Sequence, residues 1–342
     1  RSRGLGDVYK RQVYVNEGVN KIEEHEKLLL TLDNGKIETD LVILCIGVRP
    51  ETNLAEESGI NTNEKGAIIV NNKMQTSDKD IYALGDAVEV KNTITGERNG
   101  IALAGPANRQ ARIVANNIHG IESSYEGFIG SSILKIFNYS LGIVGLSEIV
   151  CKNLDIPYKS MIISPYSHAT YYPGAKMLTI KAIYNSKTSQ ILGAYVWGKS
   201  SVDKITDILS VAIQNKMGAA DISALELCYA PPYSSAKSPV NILGNAIENE
   251  MNELVDTIAV EELKNKENLY ILDVRTIEEY NISHIEGAIN IPLDELRENI
   301  EKLDKSKEII VHCHSGLRSY LACRILKQKG YNVKNLIGGY IM

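Results

Sequence analysis

The chain has 342 residues, with 37 Lys and Arg against 42 Asp and Glu and a net charge of −5. That length supports two or three domains with real cores. The acidic balance argues against nucleic acid as a partner. With no apolar run of roughly 18 residues, no membrane span or membrane partner is expected, and no signal peptide is seen. The five cysteines are 45, 151, 228, 313 and 323. They are too few and too scattered for a disulfide framework, which points to a reducing, cytoplasmic setting.

Residues 1–12 follow no pattern and are set aside as a non-native leader, with the chain taken as a fragment lacking its N-terminal part. Residues 13–46 predict strands with a turn at Asp33-Asn34-Gly35. Within them, the continuous apolar run LVILCIG, 41–47, predicts a buried sheet strand ending at Gly47. AIIV (67–70) and IYALGDA (81–87) are further strand candidates. Residues 108–120 predict a helix closed by Gly120. From about 126 the texture becomes that of antiparallel strands. Residues 202–218 then predict a helix with apolar positions at 3–4 spacing, closed by Gly218. A charged stretch near 246–267 resembles a linker. After it, LYILDVRT, GAINIP and EIIVHCHSG alternate with helical segments, as in a small α/β unit with a parallel sheet.

The stretch VHCHSGLRSY (311–320) carries the sharpest chemical signal. An apolar strand stops at Cys313, and a helix follows within a few residues. Backbone N–H groups at such a turn form an anion-binding nest, and the helix N-terminus and Arg318 add positive charge. All three stabilise anionic sulfur. A buried structural Cys is the bland alternative. A metal site of His312, Cys313 and His314 is disfavoured, because neighbours on a strand point to opposite faces. No metal is therefore expected. Four residues separate Cys313 from Arg318, namely His314, Ser315, Gly316 and Leu317. Cysteine phosphatases carry five.

The shorter loop resembles the rhodanese family. LDVRTIEEYNISHIEGAINIP (272–292) extends the likeness over about 255–342. The resemblance implies that Cys313 carries a persulfide sulfur. Arg318 and the loop residues His314, Ser315, Gly316 and Ser319 would hold donor or acceptor. Asp273 and Arg275 would brace the fold as an ion pair. The domain stops at LIGGYIM, where a last helix would be incomplete.

TSDKDIYALGDA (76–87) resembles the second flavin-binding signature of pyridine nucleotide–disulfide oxidoreductases. The likeness implies an FAD site at Gly85, Asp86 and Ala87, with Asp86 on the ribityl chain. LVILCIGVRPET (41–52) resembles the crossover before it, with Gly47 near NAD(P)H. No Gly-x-Gly-x-x-Gly is present, so both dinucleotide fingerprints are expected upstream, together with a redox cysteine.

There are 18 Tyr against 2 Phe. SHATYYPGAK (167–176) and CYAPPYSSAKSPVN (228–241) resemble the dimerisation domain of coenzyme A-disulfide reductases that carry a C-terminal rhodanese. The resemblance implies a homodimer in which Tyr171 and Tyr229 act as proton donors, with Tyr172 and Tyr233 as rivals. It also implies that Lys237 binds coenzyme A or another end of the substrate, and that Asn108 touches substrate or cofactor. Ser238 stands where that family commonly has Asp.

The expected fold is mixed α/β and α+β. The leader is followed by part of an FAD/NAD(P)-binding domain over 13–125 and a dimerisation domain over 126–245. A linker over 246–254 leads to a rhodanese domain over 255–342. The expected function is NAD(P)H- and FAD-dependent reduction of coenzyme A disulfide, coenzyme A persulfide or polysulfide. Two alternatives are a sulfurtransferase module on an oligomerisation platform and an NADH oxidase with a rhodanese appendage.

Overall fold

The computed structural model describes residues 12–263 and 269–341. The expected leader lies outside the described residues except for Gln12, as does the end of the 246–267 stretch. The chain divides into two compact units, Arg1–Pro50 and Glu51–Met342.

In the first unit, β1 (Val19–Glu24), β2 (Leu28–Leu32) and β3 (Gly35–Thr39) form an antiparallel sheet in that order. Asp33 and Asn34 make the expected turn between β2 and β3. The Asp33 carboxylate accepts the Gly18 N–H at 2.7 Å. The expected strand at 41–47 does not form. Residues 41–47 have no regular structure, and Leu41, Ile43, Leu44 and Ile46 stand exposed, Ile46 at 92%. A strand needs a partner for its backbone N–H and C=O groups. Among the described residues no strand pairs with this segment, and its Leu41 carbonyl accepts only the nearby Thr39 hydroxyl at 3.2 Å.

The second unit opens with helix α1 (Asn53–Glu57). A small sheet follows, of β4 (Ile68–Ile69), β5 (Val88–Lys91) and β6 (Arg98–Gly100). Helix α2 (Ala104–Ile118) comes next. It starts four residues earlier than the sequence predicts and ends at His119 and Gly120. The strand expected over 81–87 reduces to one bridge, Gln75↔Tyr82, and a 3-10 turn, Gly85–Ala87. Gly85 has φ +80° and donates its N–H to the Gln110 side chain at 2.7 Å. The backbone therefore turns towards α2 instead of staying extended.

A five-stranded antiparallel sheet follows. Its strands are β7 (Ser131–Ile136), β8 (Tyr139–Gly145), β9 (Tyr158–Ile163), β10 (Leu178–Asn185) and β11 (Ile191–Gly198), in the order β7-β8-β11-β10-β9. Helix α3 (Glu148–Asn153) joins β8 to β9. Helices α4 (Val202–Gln214), α5 (Ala219–Ser223) and α6 (Pro239–Met251) bury Leu209, Ile222, Leu243 and Ile247 against Leu178, Ile180 and Val196 of the sheet. Gly218 does not close α4. The helix ends at Asn215, and Lys216 takes the left-handed turn at φ +55°. Gly218 instead begins α5, donating its N–H to the Asp221 carboxylate at 2.8 Å. The region expected as a linker from 246 starts inside α6, whose Ile247 and Glu250 are buried. Glu250 accepts hydrogen bonds from Lys159, Tyr184 and Thr257, which ties α6 to the sheet and to the segment that follows.

The C-terminal part is all-parallel. Its strands are β12 (Asp256–Ile258), β13 (Tyr270–Asp273), β14 (Ile289–Asn290), β15 (Ile309–His312) and β16 (Val333–Leu336), ordered β12-β16-β15-β13-β14. Helices α7 (Val260–Leu263), α8 (Ile277–Ile282) and α9 (Leu317–Gln328) connect them. The apolar runs are continuous because both faces are covered. Ile309 and Val311 enter one core with Leu272, Leu326 and Val333, while Ile310 enters a second with Ile258 and Ile271.

Candidate functional site: the Cys313 loop and its surroundings

Strand β15 lies between β13 and β16 and delivers Cys313 at its C-terminal end. This is the end of a parallel sheet at which α/β folds present ligands. Cys313 is 1% exposed. Its Sγ accepts the Gly316 N–H at 3.1 Å and the Ser319 hydroxyl at 3.5 Å. Gly316, at φ +104°, starts α9, so the helix N-terminus faces the sulfur. His314 and Ser315 are half-buried on the loop.

A second turn closes the loop from behind. The Tyr340 N–H bonds the Cys313 carbonyl at 2.8 Å, and the Ile341 N–H bonds that of His314 at 3.2 Å. Gly339, at φ +67°, permits this approach. A Cβ there would lie 2.7 Å from the His314 oxygen and 2.8 Å from that of Cys313.

Beneath the loop is a buried polar brace. Asp273 and Arg275 pair bidentately, with Nε at 3.0 and 2.9 Å and Nη2 at 2.7 Å from the carboxylate oxygens. Arg275 also donates to the Ser283 carbonyl at 2.7 Å and lies 4.2 Å from the centre of the Tyr340 ring. Its Asp273 partner holds the guanidinium above its ordinary pKa. His312 is fully buried, 3.6 Å from Asp273, and neither ring nitrogen has a hydrogen-bond partner. Burial depresses its pKa, so it sits there as neutral imidazole.

Arg318 is turned to a partner that the sequence reading missed. Its two terminal nitrogens bond the Glu279 carboxylate at 2.6 and 2.8 Å. That pairing holds Glu279 at about 2, far below an ordinary carboxylate. Glu279 also closes a capping box with Thr276 at the start of α8. The pattern Thr-x-x-Glu was visible in TIEE, but it announces only a helix start. Nothing local reveals an arginine 39 residues on.

The predicted tyrosines also meet. The Tyr171 and Tyr229 hydroxyls lie 2.9 Å apart, and both side chains are exposed. The hydrogen bond from Tyr229 raises the Tyr171 pKa. Tyr172 packs edge-on against His168 instead, and the Tyr233 side chain is exposed. Lys237 is exposed. The next residue, Ser238, starts α6 and accepts the Val240 and Asn241 N–H groups. A serine serves there because an N-cap needs only a short side-chain acceptor.

Gly85, Asp86 and Ala87 form the turn against the first part of α2, with the Asp86 carboxylate exposed. Gln110 is fully buried. Its Oε1 holds Gly85, and its Nε2 lacks a hydrogen-bond partner. An exposed carboxylate and an orphaned buried N–H donor beside one turn fit a polyhydroxylated ligand such as the flavin ribityl chain. Asn108 instead bonds its own helix at the Ala104 carbonyl, 2.9 Å away. Gly47 has φ +98° and open space where a Cβ would stand. No group of three or more His, Cys, Asp or Glu is placed to hold a metal among the described residues. Nor, among them, is any helix long and apolar enough to cross a membrane.

These folds define a multidomain chain that ends in a small parallel α/β unit with a buried cysteine at the C-terminal end of its central strand. Family models match in three blocks. They are pyridine nucleotide-disulphide oxidoreductase over 10–111, its dimerisation domain over 131–239 and a rhodanese-like domain over 257–341. The chain belongs to the pyridine nucleotide-disulphide oxidoreductase family, in the branch with a C-terminal rhodanese-like domain.

It is 35% identical to the coenzyme A disulfide reductase of Staphylococcus aureus strain Newman, over 70% of this chain and 55% of that protein. The crystal structure of reduced Bacillus anthracis CoADR-RHD matches with TM-score 0.88 and 44% identity, over 95% of this chain and 59% of that one. The structure of an NAD-dependent persulfide reductase from A. fulgidus matches with TM-score 0.92 and 35% identity, over 98% and 62%. The chain thus spans between half and two thirds of the length of these relatives.

Proposed function

We propose that this chain works in the flavin-dependent, NAD(P)H-driven reduction of coenzyme A disulfide, coenzyme A persulfide or polysulfide, with Cys313 as carrier of sulfane sulfur. The observation that carries this reading is the Cys313 cradle. A sulfur faces a helix N-terminus and accepts a backbone N–H, in the same compact unit as the Gly85–Ala87 turn and the Tyr171–Tyr229 pair. The relatives, a coenzyme A disulfide reductase and a persulfide reductase by name, support coenzyme A disulfide and persulfide as substrate classes.

In this reading Asp86 and Gln110 hold the flavin, which when bound supplies the hydride and electron chemistry. The loop amides of Ser315 and Gly316 stabilise the terminal sulfur on Cys313. Tyr171 and Tyr229 share one hydrogen bond, so either phenol can give its proton to a departing coenzyme A thiolate while the other steadies the phenolate. Lys237 offers a compact cation for a phosphate or the far end of the substrate. The likeness to the dimerisation domain supports a homodimer. The pattern of five unpaired thiols supports a cytoplasmic setting. The working division is 13–125, 126–251 and 255–342, with the linker shortened to 252–254 because α6 runs to Met251.

The test is Cys313→Ser in the full-length protein. Persulfide and polysulfide turnover should fall sharply while coenzyme A disulfide reduction stays near wild type. Equal loss of both, or loss of neither, contradicts the coupled role. Flavin absorbance that fails to co-purify with the protein contradicts the reductase part and leaves a sulfurtransferase module.

A further inference from the structure

We propose that Glu279 sets the donor selectivity of the Cys313 loop. By occupying the Arg318 guanidinium, it turns the loop away from doubly charged oxyanion donors and towards persulfides. This inference rests on the reading of Cys313 as a sulfur carrier.

Arg318 is the one guanidinium of the loop. An arginine fork recognises a planar carboxylate or a tetrahedral oxyanion with the same two nitrogens. Both are taken by Glu279, at 2.6 and 2.8 Å. Each partner of the pair is about one third exposed, at 32% and 33%, so it borders the solvent from which a donor arrives. Glu279 is also held in place, since its Oε2 accepts the Thr276 N–H at 3.0 Å. The nearby Arg275 offers no substitute, because it is 3% exposed and committed to Asp273 and to the Ser283 carbonyl. What remains around the Cys313 sulfur is the end of α9, with the Gly316 N–H already donated to that sulfur at 3.1 Å. That suffices to seat one sulfur. It does not balance a sulfonate with a carboxylate beside it.

The two donor classes ask different things of this loop. For a persulfide, the Cys313 sulfur bonds to the outer sulfur of R–S–S–H and the donor S–S bond breaks. Starting from the Cys313 thiolate, the electron pair leaves on R–S⁻, which then takes the proton that the outer sulfur carried, giving Cys–S–S⁻ and R–S–H. For thiosulfate, the same attack releases sulfite, SO₃²⁻, and leaves Cys–S–S⁻. Both reactions balance in atoms and charge. Only the second builds a dianion next to Glu279.

The experiment follows sulfur loading of Cys313 by mass spectrometry in the 342-residue chain, with thiosulfate and with 2-mercaptoethanol persulfide as donors. Wild type should load faster from the persulfide. Glu279→Gln, which frees the guanidinium of its counter-charge, should raise the thiosulfate rate about tenfold, the scale of a charge-assisted hydrogen bond regained. The persulfide rate should stay within about twofold, since Arg318 acts on the Cys313 sulfur for both donors alike and meets a dianion only from thiosulfate. Thr276→Ala removes the hydroxyl half of the helix cap and keeps the ion pair, so its donor ratio should match wild type. An unchanged ratio in Glu279→Gln, or the same shift in Thr276→Ala, overturns the selectivity role. In the wild-type chain, inorganic sulfate should not slow persulfide loading at concentrations equal to the thiosulfate used. Sulfate protection would show an Arg318 open to oxyanions and would also overturn the role. If neither donor loads the wild type, the carrier reading itself falls, which is a different result from loading without discrimination.

Discussion

The Cys313 loop and the 41–47 segment both begin as aliphatic runs and both contain a glycine in the left-handed region. Only one run becomes a strand. Ile309–His312 pairs with β13 on one side and β16 on the other, and its residues are buried in two cores. Leu41, Ile43, Leu44 and Ile46 find no pairing strand among the described residues and lie exposed. Apolar character licenses a strand, but the neighbours decide whether it forms. The Cys313 loop is held by hydrogen bonds and ion pairs whose partners lie between Asp273 and Ile341.

Four changes would break or sharpen that contrast. The largest effect is expected of Arg275→Met. It leaves the Asp273 carboxylate buried and unpaired, which costs about 3–5 kcal/mol. Urea unfolding of the chain should shift accordingly, and the Cys313 thiol should react faster with a thiol reagent. An unshifted midpoint would mean that the brace does not hold the loop. Next comes Gly339→Ala. A Cβ 2.7 Å from the His314 oxygen, on a backbone at φ +67°, should cost about 1–3 kcal/mol. It should also slow sulfur loading at Cys313, which a change remote from the loop would not do.

A third effect is in pH. His312 has a folded-state pKa below its ordinary 6.5. The unfolded chain therefore takes up a proton first as pH falls. The stability that goes with neutral His312 is complete above about 6.5 and is lost as pH drops towards the depressed folded value. Glu279 acts in a lower window. Its contribution is present above 4.5 and is lost as pH falls through about 2. In His312→Phe the acid loss should begin only in the lower window. A profile identical to wild type from pH 7 to 5 would deny His312 this role. The smallest effect is expected at Ile46→Ser. With 92% exposure, it should change the stability of this chain by no more than about 0.5 kcal/mol. A large loss would mean that the 41–47 run is packed after all.

The difference in legibility has a physical cause. Strand, loop and helix around Cys313 follow from local signals, namely an aliphatic run, a short polar turn and an amphipathic continuation. The Asp273–Arg275 pair is two residues apart and readable in LDVRT. Tyr171 and Tyr229 were recognised through resemblance, and their hydroxyls do meet. The partners that complete these sites were not legible. Glu279 reaches Arg318 across the fold, and Gly339 closes the loop from the far side of β16. The Gln110 side chain takes the Gly85 amide from a separate helix. Gly218 misled because a glycine after a helical run serves equally as an end or as a beginning. Here Lys216 had already turned the chain.

The central claim is that Cys313 carries transferable sulfur, and intact and peptide mass spectrometry of this chain tests it most directly. After exposure to thiosulfate, polysulfide or coenzyme A persulfide, the account predicts one added sulfur on the peptide holding Cys313, removable by cyanide or dithiothreitol. Cys45, Cys151, Cys228 and Cys323 should stay unmodified. A folded chain that takes no labile sulfur at Cys313 from any of these donors, or that takes it equally at the other cysteines, would contradict it.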